Sequence, residues 1–349
     1  MVDARERQRF ETGFFNCRVI QLSLALQEWG MPVEALYYNA WESTKEIYEH
    51  LYVKKSKPWF YRSPCLEPSE LELIGIPYEQ VPYADDEEIA PLLQRIDYGA
   101  CAAFLWISCG EAPYVKPGTF GDPEAAHSLW VCGWSPEPGG SGRYAIRDTY
   151  PDYEGGISEE DLRRMCKVPA LNTEDRAVFL LRKPEAKASP DWSRIRKRYR
   201  ERMARQQGDT AYYEIVRAYA SGGGTGPFTN LAELYDCHAH AFKFIAGSRY
   251  AFSCFVEAAE GDRNLVQLLR GIARKADMLK NFFLMAIHGG SDNAAIIAQL
   301  CSEIQELEEL AWGYIVSPSV SPGIAPQAGK FIKSAGLALR NEEDRHWCL

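Results

Sequence analysis

The chain of 349 residues carries no excess of basic charge: 39 Lys and Arg face 48 Asp and Glu, for a formal net charge of −9. General nucleic-acid binding and attachment to an anionic membrane both need a basic surface, so neither is expected, and an anionic partner would have to meet a local patch. There is no apolar run of the ~18 residues that a membrane-spanning helix requires. The opening MVDARERQRF is charged where a secretory signal would be apolar. A cytoplasmic location is the expectation. Ten cysteines show neither a CxxC pair nor a regular spacing, and a chain of this size has no need of disulfide staples, so they are read as reduced thiols, mostly buried. Cys348 is second from the end, where a prenylated cysteine is fourth, and Met1-Val2 is not a myristoylation start. The run SGGGTGPF (221–228) lacks the Lys-Ser/Thr ending of a phosphate loop and is read as a flexible connection. No internal repeat is visible.

The length exceeds that of one ordinary domain, and 46% hydrophobic residues suffice for ordinary cores. Near the start, TGFFNCRVIQLSLALQEWG reads as a short amphipathic helix beginning near Asn16, with an apolar stripe through Val19, Ile20, Leu22, Leu24, Leu26 and Trp29 and a closing Gly30. MPVEALYYNAW and KKSKPWFYRSPCLEP are broken by prolines and look irregular. A helix over about 86–97 leads to GACAAFLWISCG, an apolar run that fits a buried strand. HSLWVCGW (127–134) and RYAIRDTY (143–150) form a hairpin across SPEPGGSG; Ser158 caps a short helix in ISEEDLRRM; RAVFLLR is a further strand. The charged, proline-bearing KPEAKASPDW (183–192) marks a boundary between residues 1–183 and 186–349. Beyond it the apolar period becomes helical: 265, 268, 269, 272, 276, 279 and 283, then 297, 300, 304, 307 and 311. Those stripes are core packing in a helical domain.

One combination carries chemistry. A cysteine at a helix N-terminus has a lowered pKa, and more so beside an imidazolium. Cys17 meets the first condition. His127 opens one strand of the hairpin and Asp148 closes the other, so imidazole and carboxylate can meet; a thiol nucleophile needs both, one as base and one to orient it. Elsewhere, His238 and His240 in CHAH are spaced i and i+2, which on a helix face apart and do not chelate a metal. The helix RIRKRYRERMAR places Arg194, Arg196, Lys197, Arg198 and Arg200 together, with Arg202 and Arg205 beyond; such a run is ordinarily a solvated face, yet in an acidic chain it is also the place for an acidic carrier protein to dock.

Read together, FNCRVIQL, HSLWVCGW, AIRDTY and GSRYAFSCFVEAAEGD, in that order, resemble the family of butirosin biosynthesis protein H, with a first part like a papain-like cysteine peptidase. The resemblance implies an α+β papain-like catalytic domain (1–183) followed by an all-α domain (186–349). It also implies a Cys17–His127–Asp148 triad that transfers an acyl group from a phosphopantetheine thioester to an amine in antibiotic assembly. Expected partners are an acyl or peptidyl carrier protein, a small amine acceptor and a second copy in a homodimer, with no tightly bound cofactor or metal. The related exporter peptidases place a Gln a few residues before the nucleophile to complete the oxyanion hole. Here Glu11 stands at minus six and Gln8 at minus nine, leaving the Cys17 N–H, Asn16 and Gln8 as oxyanion candidates. The family aspartate is commonly followed by Pro; Thr149 follows Asp148. The rival expectations are a cysteine peptidase or amidase with the same triad, and a carrier-binding scaffold without catalysis.

Overall fold

The computed structural model describes residues 4–58, 61, 63–116, 126–137, 142–167, 176–185, 189–206, 208–259, 261–289 and 293–316. Cys348, the tip of the 135–142 connection and part of the 183–192 linker lie outside them. The chain divides into two compact units, one of Phe15–Leu36 with Leu66–Asp191 and one of Met1–Phe14, Tyr37–Cys65 and Trp192–Leu349. The second unit therefore begins its long segment at the end of the expected linker. It also takes in two N-terminal segments that the linear division at 183 assigns to the first domain.

The first unit is a six-stranded antiparallel sheet in the order β1-β6-β2-β3-β4-β5 with flanking helices, an α+β arrangement. The strands are β1 (Tyr78–Pro82), β2 (Cys101–Ser108), β3 (Ala126–Pro136), β4 (Gly142–Thr149), β5 (Asp152–Ser158) and β6 (Ala177–Arg182). β2 is covered on both faces, which is why it is apolar throughout instead of alternating. Helix α2 (Cys17–Glu28) lies over the face that bears Ser128 and Arg147: Arg18 and Gln21 hydrogen-bond to Ser128, and Glu28 pairs with Arg147. On the opposite face α4 (Ile89–Gln94) and α5 (Glu159–Met165) bury Ile89, Leu93, Leu162 and Met165 against Leu105, Ile107, Leu129, Val131, Tyr144 and Ile146. Ser158 caps α5 as expected, its Oγ accepting the Asp161 N–H at 3.0 Å. The helix expected over 86–97 is a 3-10 turn, Asp86–Glu88, followed by the short α4.

The second unit is helical: α1 (Ala4–Phe14), α3 (Thr44–Tyr48), α6 (Trp192–Arg205), α7 (Ala211–Ala220), α8 (Leu231–Ala258), α9 (Arg263–Ile287) and α10 (Ala294–Val316). α8 is its axis, with nearly every residue from Cys237 to Val256 buried. α1 crosses it at Gly247, where a Cβ would meet Phe14 and stand 2.7 Å from the Phe10 carbonyl oxygen; Phe10 stacks on Tyr250 at 4.6 Å. Two residues on, Arg249 is 1% exposed. Its Nε and Nη2 donate to the two Glu308 carboxylate oxygens at 2.7 and 3.1 Å, its Nη1 to the Glu42 carbonyl at 2.8 Å, and its guanidinium lies 3.9 Å over the Trp41 ring. A buried charge this fully answered ties α8 to α10 and to the 37–65 segment. Among the described residues no helix is long and apolar enough to cross a membrane.

Removing one partner of that pair strands the other charge in the core. Glu308→Ala should cost about 3–5 kcal/mol of stability, while the double change Arg249→Met with Glu308→Leu should recover most of the loss. Urea unfolding of the three proteins checks this; a Glu308→Ala loss of less than about 1 kcal/mol would contradict a buried, charged pair.

Candidate active site

α2 begins where the sequence places it. Asn16 is the N-cap, extended at φ −72°, and its Oδ1 accepts the Val19 N–H at 3.0 Å. Cys17 is thus the first helical residue, at the positive end of the helix dipole. Trp29 and Gly30 (φ +66°) end the helix, with Met31 N–H bonding the Leu26 carbonyl and Gly30 N–H that of Gln27. The buried face differs from the expected apolar stripe: Gln21 and Ser23 are on it, and Ile20 and Leu24 are only half-buried.

β4 alternates, with Tyr144, Ile146 and Asp148 buried in turn, so Asp148 occupies a core position at the end of the strand. His127 lies at the start of β3, across from Ile107 of β2 and 5% exposed. His127 Nε2 and Asp148 Oδ1 are 2.7 Å apart. A carboxylate only accepts, so Nε2 carries the proton, and the other ring nitrogen is left for the Cys17 thiol, with which His127 also hydrogen-bonds. Asp148 is 1% exposed and fully answered: Oδ1 also accepts from the Thr149 and Tyr150 N–H groups at 2.7 and 3.1 Å, and Oδ2 accepts the Tyr114 hydroxyl at 2.8 Å. The Tyr114 ring stacks on Tyr153 at 4.2 Å, and Tyr153 is the β5 partner of Asp148. On the thiol side, the Ser128 N–H points at Cys17 Sγ at 3.3 Å. Ser128 is in turn clamped, its Oγ bonded by Arg18 Nε and to Gln21 Oε1, both at 2.8 Å, and its carbonyl by Gln21 Nε2 at 2.7 Å.

These contacts set the charge state. Burial opposes a thiolate at Cys17, but the facing His127, the hydrogen bond it makes, the Ser128 N–H and the Arg18 charge outweigh it, and the thiol pKa falls below its ordinary value. Burial likewise opposes an imidazolium at His127; the Cys17 thiolate and the Asp148 hydrogen bond push it up to about 10. Both shifts favour the ion pair, which persists from the lowered Cys17 pKa up to the raised His127 pKa. Other cysteines move the opposite way by burial, Cys132 to about 11, Cys237 and Cys301 to about 12, and Cys101 and Cys166 upward as well.

The remaining expected residues are dispersed. Gln8 is exposed on α1, in the helical unit, and Glu11 there is buried, accepting the Tyr37 hydroxyl at 2.7 Å and Arg7 Nε at 2.8 Å. Arg194, Arg196, Lys197, Arg198 and Arg200 are on α6. His238 is buried on α8 against the Tyr212 hydroxyl at 2.7 Å, and His240 faces Asp236. Tyr114, Ser128, Arg18 and Gln21 were missed from the sequence. Gln21 left a signal, a polar residue one turn after the cysteine inside an apolar stripe; Tyr114 left none, being brought to Asp148 only by the fold.

The sheet unit thus belongs to the class of α+β proteins that present a thiol, an imidazole and a carboxylate in hydrogen-bonded series. No family model matches the chain. It is 23% identical over 268 residues, 75% of this chain and 82% of the other, to a protein of Niallia circulans described as ribostamycin:4-(gamma-L-glutamylamino)-(S)-2-hydroxybutanoyl-[BtrI acyl-carrier protein] 4-(gamma-L-glutamylamino)-(S)-2-hydroxybutanoate transferase. That similarity supports the resemblance to butirosin biosynthesis protein H.

Iodoacetamide at about pH 7, well below the ordinary thiol pKa of about 8.5, should label Cys17 ahead of half-buried Cys101 and Cys132, as read by peptide mapping. Equal labelling would contradict the ion pair. Tyr114→Phe keeps the stack on Tyr153 and removes a donor from a buried carboxylate, worth about 1.5–3 kcal/mol. Asp148 Oδ2 is then left without that donor and the His127 ring is held less firmly, so the rate of Cys17 labelling near neutral pH should fall about threefold to tenfold; a rate within about twofold of the parent would contradict a positioning role for Tyr114.

Proposed function

We propose that this protein is an amide-forming acyltransferase that works through a Cys17 acyl-enzyme, taking its acyl group from a carrier-protein thioester and giving it to an amine. The observation that carries the reading is the half-buried Cys17 thiol at a helix start, hydrogen-bonded to an imidazole whose far nitrogen is held by a buried carboxylate. A nucleophile-bearing helix against an antiparallel sheet, with His and Asp on neighbouring strands, is compatible with the papain-like reading and supports it.

The steps follow from the charge state. The Cys17 thiolate attacks the thioester carbonyl; the bond from carbon to the pantetheine sulfur breaks, and that sulfur leaves as a thiol with the proton of His127. Neutral His127 then accepts a proton from the incoming amine as its nitrogen attacks the acyl-Cys17 carbonyl. The carbon–sulfur bond to Cys17 breaks, giving the amide and restoring thiolate and imidazolium. The oxyanion of each tetrahedral intermediate falls to the start of α2, where the first N–H groups have no helical acceptor, with the Cys17 N–H as first candidate and the Asn16 side chain beside it. Ser128 N–H steadies the thiolate between turnovers. The Niallia circulans protein is named for transfer from an acyl-carrier protein to ribostamycin, which favours an aminoglycoside-like amine acceptor and a place in antibiotic assembly. Hydrolysis by the same residues is the rival, and water exclusion decides between them.

Incubation with an acyl-pantetheine thioester should add one acyl mass to the protein, mapped to Cys17, and none in Cys17→Ala. An adduct of equal yield in Cys17→Ala, or no adduct in the parent protein, would overturn the proposal.

A further inference from the structure

We infer that the outward face of α6 is the surface on which the acyl carrier protein docks; the identity of the partner rests on the acyl-transfer reading above, while the surface rests on the helix itself. α6 carries seven Arg and Lys and one acidic residue, Glu201, in 14 residues, within a chain of net charge −9. Its inner face is anchored: Ile195 and Met203 are buried, and Tyr199 packs on Phe252 and Phe255 of α8 at 6.1 and 5.4 Å. Arg202 turns toward Glu42, at 3.9 Å. Arg196, Lys197 and Arg200 are exposed on the rest of the helix, and none forms an ion pair with a described residue.

That is unusual for this molecule. Its other surface arginines are commonly paired, as Arg163 is with Glu87 and Glu159, Arg182 with Glu79, and Arg270 with Glu257. Like charges at i, i+4, such as Arg196 and Arg200, oppose helix formation; the contacts these side chains make within the helix, Arg200 Nε to the Arg196 carbonyl at 3.2 Å and Arg196 over the Trp192 ring at 6.0 Å, leave their charge uncompensated. An anchored helix on which Arg196, Lys197 and Arg200 have no carboxylate partner among the described residues is suited to a partner that supplies the carboxylates, and acidic carrier proteins have that chemistry. Steering by such a patch raises the association rate and is screened by salt.

The test uses the full-length protein and a fluorescently labelled holo acyl carrier protein, with binding read by anisotropy at low and high salt. The parent protein should bind, with affinity falling as salt rises. Arg196→Glu/Lys197→Glu/Arg200→Glu should weaken binding at least tenfold at low salt, while leaving acylation of Cys17 by free acyl-pantetheine within twofold. If the reversed-charge protein fails to fold, the Gln triple variant at the same positions serves, with at least a threefold loss expected. Binding unchanged within twofold in a folded variant, or no binding by the parent protein, overturns the docking surface and leaves the acyl chemistry standing. Equal, α6-dependent binding of anionic lipid vesicles or duplex DNA overturns it in favour of a general anion patch. Loss of carrier binding in the variant while Cys17 never acylates supports the surface and sinks the acyltransferase instead.

Discussion

The hydrogen bond between His127 and Asp148 is the constraint around which the sheet unit is organised. Asp148 sits where the alternation of β4 calls for a core residue after Tyr144 and Ile146. A carboxylate there is tolerable only because four donors surround it: the imidazole, two backbone N–H groups from the turn that follows, and the Tyr114 hydroxyl. Those donors orient the carboxylate, the carboxylate orients the ring, and the ring presents its second nitrogen to Cys17. The helix start supplies the rest. Asn16 holds the first turn in place, and Arg18 and Gln21, one residue and one turn beyond Cys17, clamp the Ser128 peptide whose N–H faces the sulfur.

This explains why Cys17 differs from the other thiols whose pKa is shifted. Burial raises the pKa of Cys101, Cys132, Cys166, Cys237 and Cys301 and leaves them poor nucleophiles. At Cys17 burial acts in the same direction and is outweighed, because the compensating charge is adjacent and is itself held in place. The same pair does not choose between amine and water. An acyl group on Cys17 would be open to attack by either, and the outcome would depend on what the surroundings admit. The 23% identity to a carrier-dependent transferase is the ground for favouring the amine.

Much of the sheet unit was legible because its signals are local. The start of α2, β2 as an apolar run, the His127–Asp148 hairpin, the Ser158 cap and β6 all follow from neighbouring residues. What was missed depends on distant ones. β5 (DYEGGIS) hides behind two glycines, and β1 (YEQVP) is an exposed edge strand with no apolar face. α1 (ARERQRFETGF) is too polar to announce itself; its Phe10 and Phe14 are buried at the Tyr250 and Gly247 positions of α8, more than two hundred residues later. The same reach across sequence brings 37–65 into the helical unit, through the Arg249 bond to the Glu42 carbonyl. No period or spacing reports such a pairing. Tyr114 belongs to this group, since its role exists only once β4 and β5 are side by side.

Discharge of the proposed Cys17 acyl-enzyme by an amine in preference to water is what separates transfer from hydrolysis. The direct measurement is a single turnover: acylate the protein with an acyl-pantetheine, remove the excess reagent, add an aminoglycoside amine, and weigh amide against free acid. Amide should dominate, and the acyl-enzyme should decay several-fold faster with amine than without. Free acid as the main product at every amine concentration would contradict it and assign the triad to hydrolysis.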